Sequence, residues 1–371
     1  MLTNLALKMV VMITYLSHWD WILYKSRKEL VTYLNSYDIH AMCPDGDYLI
    51  NLKKVYKSTT TWEVNREKLL DFNAILTLRK HIKNVETNYH CFTLKTGLLF
   101  AVAKIGISTK RKAILSITGL GFMFTDNKKA KLLRFLIKPF IKNLMNSAFD
   151  VIIFQNHSDK EIFINFSKFS NKIEIIPSSG IETSKFIIRK NKKKDLEPIK
   201  VILVSRLLYD KGILDYLELV ETSKNINYEF YLAGERDHGN PQNITDEDMD
   251  RILGNENLKF LGKLDVETEL SNFDISIIMS SHEGFSRILL ESLYVGLYCL
   301  AYRIQGTEVM ENFKNLELIP LNKINEFKKY IENFTGDIDN SHNMQLVEKN
   351  YTSKIVAFQF EKIYKELDVL N

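Results

Sequence analysis

Short apolar runs and amphipathic stretches alternate along the whole chain. Runs at 9–16, 37–43, 87–92, 112–118, 149–155 and 172–177 predict strands in the first half. Between them, apolar residues recur at helical spacing near 23–35, 65–83, 96–106, 128–147 and 159–169. After residue 198 the alternation resumes, with strands expected at 199–205, 228–233, 258–262, 275–279, 297–302 and 316–320, and helices near 212–223, 266–272, 286–296 and 323–334. A last amphipathic stretch, 352–367, reads as one more helix. Repeated βα units make parallel, doubly wound sheets, so the expected fold class is α/β, with two Rossmann-like domains whose strand ends face a cleft. A charged stretch closed by a breaker, Lys190–Lys194 followed by Asp195-Leu196-Glu197-Pro198, reads as the linker. The expected division is a first domain at 1–187, a linker at 188–198 and a second domain at 199–350.

Candidate chemistry gathers where strands give way to helices. The run Ile275–Met279 ends in Ser280-Ser281-His282-Glu283-Gly284, and a helical pattern begins near Ser286. A strand, a small-residue loop and a helix N-terminus form an anion cradle, because unpaired backbone N–H groups and the helix dipole face the loop. Glu283 and Glu291 stand eight positions apart, a helical rise of ~12 Å. That spacing suits a ligand with an anionic middle and hydroxyl-rich ends, the layout of a nucleotide-sugar. On spacing alone, two solvated surface carboxylates explain the pair equally well. Arg206 and Lys211 follow the strand at 199–205 and place a guanidinium and an ammonium at the carboxyl edge of a sheet, where open α/β sheets bind ligands. His18 has the corresponding place after the first strand, where a lone histidine is more often a satisfied structural residue than a substrate contact. Gly119 and Gly121, after the strand at 112–118, would let a backbone approach a ligand. Asp45-Gly46-Asp47 follows a strand and a proline and reads as a turn rather than a metal site. Asp246-Glu247-Asp248 reads as a solvated helix start.

Composition adds compartment and charge. Cys43, Cys91 and Cys299 are far apart and form no C-x-x-C pair, which argues against a disulfide framework or zinc site and is compatible with a reducing cytoplasm. The opening segment lacks a signal peptide's basic leader and cleavage site, and no uninterrupted apolar run reaches spanning length. The net charge of +4 conceals an asymmetry: residues 1–199 carry +15 and residues 200–371 carry −11. Lys131, Arg134, Lys138 and Lys142 recur at helical spacing opposite Leu132, Leu133, Leu136, Ile137, Phe140 and Ile141. Such a helix suits an anionic membrane surface, or packs its apolar face on the sheet with lysines in water. Pro139 is expected to disturb its middle. No stacking or helix-turn-helix signature points the basic half to nucleic acid.

The segments VSRLLYDKG, YLAGERD (231–237), LKFLGK (258–263) and EGFSRILLES with Gly296 resemble the donor half of retaining GT-B glycosyltransferases of the GT4 family. HCFTLKTG (90–97), ITGLGFMFTD (117–126), VIIFQN (151–156) and IIPSSGIETSKF (175–186) resemble the bacterial branch that extends undecaprenyl-diphosphate-linked surface glycans. The resemblance implies that Glu283 and Glu291 form the E-x7-E signature, and that Arg206 and Lys211 hold the diphosphate. Gly284, Phe285, Ser286 and Arg287 would complete the donor site, with Glu283, Arg206 and Lys211 catalytic. On the acceptor side it points to His18, Lys95, Thr118, Gly119 and Gly121. It further implies a UDP-sugar donor, a polyprenyl-diphosphate-linked acceptor, no metal and no other cofactor. The protein would work peripherally on the inner face of the cytoplasmic membrane, and residues 351–371 would cross back to the first domain. Ser286 replaces the family's usual proline, Gln305-Gly306-Thr307-Glu308 shortens its usual turn, and Thr118 stands where many members carry an acceptor-side histidine. A soluble acceptor, an epimerase or phosphorylase on the same architecture, a non-catalytic scaffold and a nucleic-acid-binding basic half are the rival readings.

Overall fold

The structure is a computed structural model that describes residues 11–68, 70–124, 128–190, 198–223 and 227–367, without the side chains of Phe122 and Lys129. The chain divides into two compact units: Met1–Gly180 with Ser353–Asn371, and Ile181–Thr352.

The first unit runs β1 (Val11–Ser17), α1 (Asp20–Tyr33), β2 (Tyr37–Cys43), α2 (Leu49–Leu52), β3 (Ser58–Thr61), α3 (Phe72–Asn84), β4 (Asn88–Phe92), α4 (Leu94–Lys104), β5 (Ala113–Ile117), α5 (Lys128–Ala148), β6 (Val151–Phe154), α6 (His157–Ser167) and β7 (Lys172–Ile175). All strands pair in parallel, in the order β3-β2-β1-β4-β5-β6-β7. Winding therefore reverses between β1 and β4, the switch point at which such sheets open a crevice. Ala74, Leu78, Leu98, Leu99, Ile141 and Met145 cover one face of the sheet.

The second unit runs β8 (Ile199–Val204), α7 (Ile213–Thr222), β9 (Tyr228–Ala233), α8 (Asp246–Leu253), β10 (Leu258–Gly262), α9 (Val266–Glu269), β11 (Ile275–Ile278), α10 (Arg287–Val295), β12 (Tyr298–Tyr302), α11 (Gln305–Glu308), β13 (Leu316–Ile319), α12 (Ile324–Glu332) and α13 (Ser341–Asn350). Its strands are also parallel, in the order β10-β9-β8-β11-β12-β13. α7, α8 and α12 bury Ile213, Leu217, Ile252, Phe327 and Ile331 on one face, and α10 buries Leu289, Leu290 and Leu293 on the other.

The last helix, α14 (Ser353–Glu366), returns to the first unit. Val356, Ala357, Phe360, Ile363 and Tyr364 pack with Leu23 and Leu30 of α1 on the sheet's second face. The Tyr364 hydroxyl lies 2.7 Å from His90 Nδ1 and 2.9 Å from the Tyr15 hydroxyl, and His90 Nε2 meets Ser116 at 2.7 Å. Burial holds the His90 imidazole well below its ordinary pKa, reinforced by Arg27, so the ring is neutral and each nitrogen has a hydroxyl partner.

Several expectations change. The first unit ends at Gly180, because Ile181 and Phe186 pack in the core of the second. Most of the expected linker at 188–198 lies outside the described residues. Arg189, inside that stretch, is instead buried: its Nη2 lies 2.8 Å from Asp274 Oδ1, and its N–H donates to the Val295 carbonyl at 2.9 Å. The other Asp274 oxygen accepts the Lys200 N–H at 2.9 Å. α5 continues through Pro139 without ending. Pro139 is exposed, so the carbonyl left without its helical bond faces water, where the loss is small. Asp246-Glu247-Asp248 opens α8 behind the Thr245 cap, as expected of an acidic helix start.

Candidate functional site: the carboxyl edges of the two sheets

In the second unit the loops after β8, β11 and β12 are fastened to one another by backbone contacts. The Ser281 N–H donates to the Asp210 carbonyl at 2.9 Å, and the Ser286 N–H to the Gly306 carbonyl at 3.1 Å. Two glycines make this possible. A Cβ on Gly212, at φ +73°, would stand 2.2 Å from the Met279 oxygen, and one on Gly306 would stand 2.5 Å from the Glu283 oxygen. Any side chain at either position would force the loops apart.

These loops bring the expected charges together. Lys211 Nζ donates to Glu283 Oε1 at 3.0 Å, and the Ser280 hydroxyl donates to the same oxygen at 2.6 Å. At the start of α10, Arg287 Nε donates to the buried Glu291 carboxylate one turn further on, at 2.7 Å. Arg206 Nη1 donates to Asp237 Oδ2 at 2.6 Å. Asp237 also accepts from the Asn240 amide at 3.2 Å and receives the Asn243 side-chain oxygen at its own N–H, 3.0 Å away. Thus two of the ion pairs join residues already singled out, and the third adds Asp237. Asp237 closes the YLAGERD segment, and its role as the partner of Arg206 depends on β8 and β9 lying side by side.

Ser286 caps α10 without a side-chain cap bond. Its hydroxyl and His282 Nε2 are buried and have no hydrogen-bond partner among the described residues. A buried polar atom without a partner is costly, and a ligand oxygen at the helix N-terminus supplies one. Gly284 is buried in the loop. Phe285 packs its ring in the apolar core against Tyr351, with centroids 5.9 Å apart, which leaves its backbone to the cradle.

The first unit assembles a second cluster at its switch point. His18 Nδ1, after β1, lies 3.0 Å from the Thr93 hydroxyl and 3.1 Å from the Thr96 hydroxyl, at the start of α4. Its backbone N–H also donates to Thr96 at 3.0 Å. Thr93 is held at φ +80°, a conformation that costs a non-glycine residue of order 1–3 kcal/mol. Between these threonines, Lys95 Nζ donates to the carbonyls of Asn65 at 2.9 Å and Arg66 at 2.6 Å. Burial lowers the Lys95 pKa to about 8, with a further push from the Arg66 charge. The Arg66 guanidinium sits 3.9 Å over the Trp19 ring, and Trp19 stacks on Trp21 at 5.1 Å. On the neighbouring strand, β5 leads into half-buried Thr118 and then Gly119 and Gly121, at φ +144° and +60°. Trp19, Arg66, Thr93 and Thr96 escaped the sequence reading. The W-D-W segment was the available signal, being two aromatic residues directly behind a strand.

The family described as Glycosyl transferases group 1 matches residues 184–351, so the second unit carries a glycosyl transferase group 1 domain. Over 302 residues the chain is 27% identical to the N,N'-diacetylbacillosaminyl-diphospho-undecaprenol alpha-1,3-N-acetylgalactosaminyltransferase of Campylobacter jejuni, covering 76% of this chain and 78% of that one. Among solved structures, a sucrose-phosphate synthase from Thermosynechococcus elongatus superposes with a TM-score of 0.77 at 16% identity, over 97% of this chain and 100% of that one. HepE of Anabaena, solved with UDP, superposes with a TM-score of 0.73 at 14% identity, over 96% of this chain and 100% of its own. At such identities the structural matches establish the fold, which is that of GT-B glycosyltransferases.

Proposed function

We propose that this glycosyltransferase moves an N-acetylhexosamine, or a related hexose, from a UDP-sugar to a polyprenyl-diphosphate-linked saccharide. Transfer retains anomeric configuration and needs no metal ion, and it serves the assembly of a surface polysaccharide of O-antigen or capsule type. The observation that carries the reading is the cradle at α10, where Lys211–Glu283 and Arg287–Glu291 bracket an N-terminus whose buried Ser286 hydroxyl has no partner among the described residues.

Each residue then has a task. Arg206 and Lys211 neutralise the diphosphate as the glycosidic bond breaks, the moment at which preorganised charge lowers a barrier most. Glu283 takes hydrogen bonds from hydroxyls of the donor hexose, and its bonds from Lys211 and Ser280 fix its direction. Glu291 takes those of the ribose. With two cations on the phosphates, the departing diphosphate can accept the proton of the attacking hydroxyl, so the chain needs no separate base. The Campylobacter relative makes an alpha linkage, as its name states. A UDP-hexosamine is itself alpha-linked, so an alpha product means retention. The same name supports a lipid-linked acceptor, for which Lys95 and Arg66 offer cations beside His18.

The deciding experiment offers the purified chain UDP-GalNAc, UDP-GlcNAc and UDP-galactose with a polyprenyl-diphosphate saccharide in excess EDTA. An alpha-linked product on the lipid is expected. Hydrolysis alone, an inverted product, or activity restored only by Mn²⁺ or Mg²⁺ overturns the reading. A pH dependence should accompany it. The Lys95 pKa, lowered to about 8, means that its positive charge is present below that pH and lost as pH rises through it. The KM for the lipid acceptor should therefore rise above pH 8 while the KM for the donor stays level. In Lys95→Arg, which stays charged, the rise should disappear; an unchanged profile in that variant contradicts an acceptor-side role.

A further inference from the structure

One face of α5 plays no part in the scheme above. The helix buries Ala130, Ile141, Met145 and Ala148 and half-buries Leu133, Ile137 and Leu144 against the first unit's core. Leu132, Phe135, Leu136 and Phe140, by contrast, are exposed by 60%, 75%, 57% and 70%. At about 100° per residue these four fall within ~140° of one another, on the side away from the core. Single exposed apolar residues are ordinary, but two leucines and two phenylalanines side by side on one helix mark an interaction surface. Exposed Lys131, Lys138 and Lys142 run along one edge of this stripe. Arg134, the fourth expected member of the basic row, turns inward to donate to the Met123 carbonyl and lies 5.7 Å from the Phe124 ring. No acidic residue occurs anywhere in α5.

We propose that α5 lies in the plane of an anionic lipid surface, with Leu132, Phe135, Leu136 and Phe140 among the acyl chains and Lys131, Lys138 and Lys142 at the headgroups. The charge pattern selects this occupant. Lysines beside an apolar stripe meet lipid phosphates favourably, whereas a second copy of the same face would bring lysines against lysines. Among the described residues no helix is long and apolar enough to cross a membrane. The inference deepens the proposed function, since the diphosphate of a polyprenyl-linked acceptor is found at that depth. Insertion also differs from purely electrostatic attraction, since salt would abolish the latter and cannot fully reverse the former.

The test uses vesicles without acceptor, so that it stands apart from the transfer reaction. The full chain is sedimented with phosphatidylcholine vesicles and with mixed phosphatidylcholine–phosphatidylglycerol vesicles, at low and high salt. Native protein should bind the mixed vesicles and keep part of that binding at high salt. Phe135→Ser/Phe140→Ser should bind on the order of 100-fold more weakly at high salt, the loss of two inserted rings. Lys138→Gln/Lys142→Gln should lose affinity chiefly at low salt. Transfer to a short-chain, water-soluble acceptor should be unchanged in both variants, showing intact folding. Native binding that vanishes at high salt, or a phenylalanine variant that binds as native, overturns the proposal. So does self-association that the phenylalanine variant abolishes while vesicle binding is absent.

Discussion

Replacing Asp274 with alanine should destabilise the second unit by about 3–5 kcal/mol, the usual cost of breaking a buried ion pair. The carboxylate meets the Arg189 guanidinium at 2.8 Å and caps the Lys200 N–H at 2.9 Å, so the change removes both bonds at once. Urea unfolding followed by circular dichroism should show a lower midpoint. Tryptophan fluorescence offers an internal control, because Trp19, Trp21 and Trp62 all belong to the first unit and should hold their transition. An Arg189→Leu/Asp274→Leu double variant should recover much of the loss, since removing both charges also removes their desolvation cost. A single variant that loses under ~1 kcal/mol would mean that water reaches the pair and screens it.

The second large effect is catalytic. Lys211→Ala should lower kcat/KM by about 10²–10³-fold, and Arg206→Ala by on the order of 10²-fold, the scale seen when one preorganised charge is removed from a developing anion. Glu283→Ala should mainly reduce turnover, whereas Glu291→Ala should weaken nucleotide binding. Because Lys211 and Glu283 share a bond of 3.0 Å, the double variant Lys211→Ala/Glu283→Ala should lose less than the product of the two single losses. Steady-state kinetics on the four single variants and the double variant settles this. Single losses below tenfold would place the reacting bond elsewhere.

What the sequence disclosed followed from periodicity, and what it withheld followed from contact. β8 and β11 show as apolar runs because both faces of a central parallel strand are covered. β3 does not: Ser58–Thr61 is a short, polar, exposed edge strand, with no apolar face to advertise it. Arg206, Lys211, Glu283 and Glu291 were visible because each stands next to a strand or helix end. Asp237 and Arg66 were not, since their partners lie across a sheet edge or on a distant loop. The strap through Ile181, Phe186 and Arg189 was hidden by the charges that follow it, which read as a linker. In α5 the six apolar positions read as one face, for a membrane or for the sheet, yet the helix divides them. Leu133, Ile137 and Ile141 point inward, and Leu132, Leu136 and Phe140 do not.

The return of α14 has a consequence for how the molecule is made. A ribosome finishes the seven strands of the first unit long before it supplies the helix that covers one of their faces. At ~5–20 residues per second, the second unit occupies synthesis for on the order of 10–40 s. Throughout that interval Tyr15 and His90 lack the Tyr364 hydroxyl, and the surface destined for Val356, Phe360 and Ile363 stays open. The second unit, continuous from Ile181 to Thr352, has its whole chain in hand before the first does. The half that begins first is therefore completed last, and a nascent chain arrested before Ser353 presents an apolar surface to chaperones and proteases.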